Sequence, residues 1–115
     1  MYVEPWAPMQ EQMAKVGRHS WSVVRLIALS KDLPVMEVPL DALNVWHKYD
    51  GLSLRDMVMH MKAVLAADLS CPIILDEDGE VMDGRHRLMK AILDEVQTVK
   101  VVRFQRNPPP DRTDD

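Results

Sequence analysis

The chain holds one cysteine, Cys71, one phenylalanine, Phe104, and four glycines in 115 residues. A single thiol forms no internal disulfide and no cysteine-based metal site. It stands before Pro72 at the edge of an apolar run, where a small buried side chain is expected. No apolar run approaches the roughly 18 residues a membrane-spanning helix needs. The first residues, Met1-Tyr2-Val3-Glu4-Pro5, lack a basic stretch leading into an apolar one, so no secretory signal is expected and a cytoplasmic location is the default. Basic excess is also missing: the formal charge is −4, which argues against a coat for DNA or another long polyanion. No phosphate-binding P-loop, nucleophile elbow or dinucleotide fingerprint occurs.

What is present suits one soluble domain. Hydrophobic residues make up 47 % and charged residues 28 %, ordinary for a globular chain of this length. The charge is unevenly placed. Between Asp83 and Arg106 six basic residues stand against three acidic ones, so this stretch is net positive within an acidic protein. A compact patch of that kind suits one small anion better than a polymer.

Residues 9–17 carry Met9, Met13 and Val16 at helical spacing, with Gly17 as a stop, and predict a helix. Residues 20–31 fit helix or strand; Ser20 as N-cap, with Trp21, Val24, Ile27 and Ala28 on one face, favours helix. Trp6, between Pro5 and Pro8, is a candidate anchor onto the body or a second subunit. Val35–Val38 predicts a strand and Leu40–Val45 a helical turn. Tyr49-Asp50-Gly51 predicts a turn. Ser53 and Asp56 form a capping box that opens a helix. Leu54, Met57, Val58, Met61, Val64, Leu65 and Leu69 then make one apolar stripe, expected to face the core. Pro72–Leu75 and Glu80–Asp83 predict a hairpin closed at Asp76-Glu77-Asp78-Gly79, an acidic turn read as a solvated tip. Arg85–Glu95 predicts a helix with Leu88, Met89, Ala91, Ile92 and Leu93 on a broad buried face. Thr98–Phe104 predicts the last strand. From Asn107 the run Pro108-Pro109-Pro110 and the polar residues after it predict an extended, mobile tail.

The chemistry concentrates at Asp83-Gly84-Arg85-His86-Arg87, where a strand turns into a helix. Gly84 permits a sharp turn and close approach to the backbone. The helix start offers N–H groups and the positive end of its dipole. Arg85 and Arg87 bring guanidinium forks suited to phosphate, and His86 brings a group that titrates near neutrality. Asp83 has three candidate roles: capping the helix, orienting an arginine, or holding Mg²⁺. Two cations at a helix start are unfavourable by themselves, and a bound anion would remove that cost. Arginines there are also commonly just solvated. His19, His47 and His60 are scattered and match no metal spacing. Trp46-His47 is expected to be a partly buried pair, with lining a pocket as the alternative.

The order of these elements resembles the ParB/sulfiredoxin superfamily over residues 35–104. It runs from Val35-Met36-Glu37-Val38-Pro39-Leu40, through the helix from Ser53, to Pro72-Ile73-Ile74-Leu75, the Val81-Met82-Asp83-Gly84-Arg85-His86-Arg87 turn, and Val99-Lys100-Val101-Val102. The resemblance implies an α/β (α+β) fold: a small mixed sheet of about four strands with packed helices. It also implies nucleotide phosphates held by Gly84, Arg85, His86 and Arg87, with ATP or CTP and Mg²⁺ as the ligand class, and nucleotide hydrolysis or phosphotransfer with His86 as the candidate catalytic group. The departures are specific. Arg85 occupies the position of sulfiredoxin's catalytic cysteine, so sulfinic-acid repair is not supported. The helix-turn-helix domain of ParB does not follow, so DNA recognition is not supported either. Residues 1–34 are then an N-terminal helical extension and residues 105–115 a disordered tail. The rival expectation is a non-catalytic interaction module, such as a homodimer, that keeps the fold and uses its tryptophans and methionine-rich helix for contacts.

Overall fold

The computed structural model describes residues 12–114. The elements run β1 (Met13–Val16), β2 (His19–Ser22), α1 (Val23–Ser30), β3 (Met36–Pro39), a 3₁₀ turn (Leu40–Ala42), α2 (Leu54–Ala66), β4 (Ile73–Leu75), β5 (Val81–Asp83), α3 (Arg85–Leu93), β6 (Thr98–Arg103) and β7 (Arg112–Thr113). The fold is mixed α+β, with one sheet of four strands ordered β3-β6-β4-β5 and one of three ordered β1-β2-β7. Among the described residues no helix is long and apolar enough to cross a membrane.

The larger sheet is the middle layer. β4 runs parallel to β6, while β3 is antiparallel to β6 and β5 to β4. A parallel pair needs a crossover, and β5 with α3 supplies it. All three residues of β4 are buried, because the sheet is covered on both sides. The period-2 alternation of a strand divides its side chains between two cores. Ile73 and Leu75 join Val81, Val99 and Val101 beneath Leu88 and Ala91 of α3. Ile74 joins Met82, Val102 and Phe104 against Ala14, Trp21, Val23 and Leu26.

That second core corrects the reading of the N-terminal third. Residues 13–16 are a strand, not part of a helix over 9–17; Met9 lies outside the described residues, as does Trp6. Gly17, at φ +60, turns β1 back onto β2 rather than ending a helix. Ala14 points inward and Met13 and Lys15 outward, the alternation of a half-covered strand. The helix starts at Val23 and not at Trp21: Ser22, rather than Ser20, is the N-cap and accepts from Arg25 N–H. Residues 13–30 therefore share a core with residues 35–104 and are no separate helical extension.

Four further expectations are revised. The segment after Asn107, expected to be mobile, is docked: Trp21 Nε1 donates to the Pro108 carbonyl at 2.8 Å, and Arg112 and Thr113 pair with β2. The hairpin tip is not simply solvated, since Asp76 is 2 % exposed and its carboxylate accepts from the N–H groups of Asp78 and Glu80. Cys71 is exposed rather than buried. Trp46, at 85 % exposure, is not a partly buried partner of His47.

The capping box of α2 forms as the sequence predicts, with Ser53 and Asp56 bonding each other's backbone N–H. The stripe behind it does not enter the core. Only Val64 of α2 is buried, while Leu54, Met61 and Leu65 are 83 %, 60 % and 69 % exposed. α3 buries Leu88 and Ala91 but leaves Ile92 and Leu93 exposed, so its apolar face is narrower than expected.

Candidate functional site

Gly84 is the N-cap of α3 at φ +106 and ψ 23, and no side chain caps this helix start. A Cβ placed there would stand 2.9 Å from Arg87 Nη1 and 3.2 Å from Ile73 Cα. The close approach that requires glycine is thus internal: β4 on one side and the guanidinium of Arg87 on the other.

Arg87 points inward. It donates to the Pro72 carbonyl at 2.6 Å and pairs with Asp83 at 3.3 Å, both side chains about one-fifth exposed. Of its candidate roles, Asp83 orients an arginine and does not cap the helix. The other cations of the basic stretch behave similarly. Lys90 donates to the Ala67 carbonyl at 3.0 Å, closing the C-terminal end of α2, and Arg103 donates to the Glu77 carbonyl. Orphan carbonyls at helix and strand ends take up these donors, so much of the positive patch braces the fold.

Arg85 leaves the helix in another direction. It lines a shallow cavity of about 50 Å³ with His47, Tyr49 and Ile92, so His47 does line a pocket, without Trp46. His86 takes a third direction: its Nε2 lies 2.8 Å from Nδ1 of His60 on α2. At that distance one ring donates and the other accepts, and a doubly protonated pair is disfavoured. Burial first, then the neighbouring His60, holds the His86 pKa below the ordinary histidine value; Asp83 opposes this and Arg87 adds to it. The His60 ring also packs on Tyr49, whose ring meets His47 edge-on. Burial raises the Tyr49 pKa, and Arg85 partly offsets that.

Gly84, Arg85, His86 and Arg87 are adjacent in sequence, and the three side chains reach different neighbours. What the fold brings together is the ring series His47, Tyr49, His60 and His86. The sequence did carry a signal for His60: it sits at i+3 from Met57 and i−4 from Val64, a polar side chain on the face of α2 that turns toward α3. Among the described residues no cluster of three or more His, Cys, Asp or Glu is placed to hold a metal ion.

Two members of the ring series, Tyr49 and His60, also line an apolar groove. This groove of about 420 Å³ runs between α2 and α3 and is lined by Tyr49, Leu52, Met57, Met61, Leu65, Met89 and Leu93, with His60. Its rim continues into the exposed stripe of α2. Comparison with protein-family models, with curated proteins and with solved structures gives no match.

Proposed function

We propose that the protein is a self-association module in which two copies pack their α2 faces across a two-fold axis. The observation that carries this reading is the exposed stripe Leu54, Val58, Met61 and Leu65. Its 4-3-4 spacing is that of a helix–helix seam. It is also nearly palindromic: about the point between Met59 and His60, Leu54 maps onto Leu65 and Val58 onto Met61. An isologous antiparallel pair therefore sets aliphatic against aliphatic at each level. Leu52 and Leu93 add further exposed apolar side chains near this face, and clustered exposed apolar groups of this kind mark a contact surface. Met57 and Met61 suit such a face because a thioether adapts its shape to the surface opposite.

Sedimentation equilibrium tests this. The wild type is expected near twice its 13.2 kDa chain mass at tens of micromolar. Leu65→Glu is expected to be monomeric with its secondary structure intact, because Leu65 is mostly exposed. A wild type that stays monomeric at ~100 µM overturns the reading.

A second reading, in line with the ParB/sulfiredoxin resemblance, is a nucleotide or small phosphate compound at the start of α3. It is favoured by one observation: the first turn has no side-chain cap, and Arg85 stands beside it. In this reading Arg85 and backbone N–H groups hold the phosphate, while Arg87 shapes the turn from inside. Thermal shift with ATP, CTP, phosphate and sulfate, with and without Mg²⁺, tests it. A ligand at ~100 times its Kd stabilises by roughly 2.7 kcal/mol, and Arg85→Ala is expected to abolish that shift.

A further inference from the structure

The surface that holds the C-terminal segment has the chemistry of a peptide-recognition site. Trp21 Nε1 donates to the Pro108 carbonyl at 2.8 Å and Arg25 Nη1 to the Pro109 carbonyl at 2.7 Å. The same guanidinium pairs with Asp111 at 3.3 Å, and the Asp111 carboxylate accepts the Ser22 N–H at 2.7 Å. Beyond Asp111 the segment adds a strand to β2, with Asp111 N–H donating to the Ser20 carbonyl and Asp114 N–H to the Arg18 carbonyl.

The contacts of Trp21 and Arg25 to Pro108 and Pro109 match what prolines can offer. Three successive prolines have no N–H, fixed φ, and preceding residues restricted to extended backbone. Such a run presents carbonyls with little ordering cost. An indole N–H and a guanidinium are donors only, so Trp21 and Arg25 complement it. Asp111 then brings negative charge to the N-terminal end of α1, where the helix dipole favours it. Proline docking followed by strand addition joins two established modes of peptide capture.

The segment is bound at the surface and is not built into the cores. Among the described residues, none after Phe104 belongs to either buried cluster. The Arg25 and Asp111 side chains remain about one-third exposed. A cavity of about 540 Å³ lies along the prolines, walled by His19, Glu77 and Arg106.

We infer that the Trp21–Ser22–Arg25 surface is a recognition site for proline-rich segments carrying an acidic residue directly after the prolines. Residues 108–114 occupy it in cis, and such a segment on another protein chain competes for it. The cis segment acts as a built-in competitor at an effective concentration in the millimolar range.

The test uses the full chain and a fluorescently labelled peptide of residues 107–115. Asp111→Ala loosens the chain's own segment and leaves Trp21, Ser22 and Arg25 in place. It is expected to bind the peptide roughly tenfold more tightly than the wild type. Adding Arg25→Ala in that background is expected to weaken the peptide roughly tenfold, and a peptide with its three prolines replaced by alanine is expected not to bind. Should Asp111→Ala compromise folding, Asp111→Asn serves the same purpose. No binding of the native peptide to either Asp111 variant at millimolar concentration overturns the inference, as does equal binding of the alanine peptide.

Discussion

Replacing Gly84 by alanine separates a glycine that admits a ligand from one that admits an arginine. At φ +106 an L-residue is strained by about 1–3 kcal/mol whatever surrounds it. The new Cβ also falls 2.9 Å from Arg87 Nη1 and 3.2 Å from Ile73 Cα. The backbone of β4 cannot yield, so the guanidinium must move. Moving it loosens the bond to the Pro72 carbonyl and the pair with Asp83, and a charge-assisted hydrogen bond contributes about 1.5–3 kcal/mol. With partial recovery of those contacts, the expected loss is about 3 kcal/mol, or roughly 12 °C in Tm for a chain of this size. Gly79 provides the control. It has φ +86, and a Cβ added there meets nothing within 4 Å, so Gly79→Ala carries the strain without the collision. Urea unfolding of both variants measures the difference. If Gly84→Ala is no more destabilising than Gly79→Ala, Arg87 does not fill the space over the glycine and is no internal brace.

Arg87→Ala is expected to cost about 2–3 kcal/mol in urea unfolding, because it leaves the Pro72 carbonyl and the Asp83 carboxylate without their donor; unchanged stability would make Arg87 a ligand-directed group again. Asp76→Ala removes the acceptor of two N–H groups inside the hairpin turn and is expected to lower stability by about 2 kcal/mol in thermal melts; a loss below ~0.5 kcal/mol would mean that water replaces the carboxylate. The depressed pKa of His86 means that folding favours its neutral form. Its contribution is therefore complete above the unfolded value near 6.5 and is lost as pH falls through that value toward the folded one. Urea midpoints at pH 7.5 and 5.5 should separate more for the wild type than for His86→Gln, and equal separations would refute the linkage.

Legibility in the sequence follows the range of the interactions. The capping box at Ser53 and Asp56 and the turn after Pro39 depend on residues three or four apart, and both are readable. The β4–β5 hairpin is readable for the same reason. The smaller sheet is not. Met9, Met13 and Val16 imitate helical spacing, while the partner that completes the sheet is Arg112-Thr113, more than 90 residues from His19. Prolines after Asn107 read as disorder because composition reports what a segment cannot bury by itself, not which donors wait for its carbonyls. At the candidate site the position of Gly84 is legible and the directions of its neighbours are not. Yet part of the outcome follows from helix geometry. Arg85, His86 and Arg87 lie within α3, where successive side chains turn by about 100°. Their side chains accordingly reach different neighbours: His47 and Tyr49 for Arg85, His60 for His86, and the Pro72 carbonyl for Arg87.

The same geometry explains why the α2 stripe reads as core. Periodicity identifies an apolar face but carries no information about what meets it. On α2 that face is wider than its contact with α3. Val64 turns toward α3 and is buried, whereas Leu54 and Val58 lie outside the groove, and Met61 and Leu65 line it yet stay largely exposed. A helix that needed only to cover α3 would gain nothing from this second row, since exposed leucine and methionine add no burial to the monomer. The width of the stripe, more than its period, is what sets α2 apart from a core helix, and it is the property that Leu65→Glu removes without touching Val64.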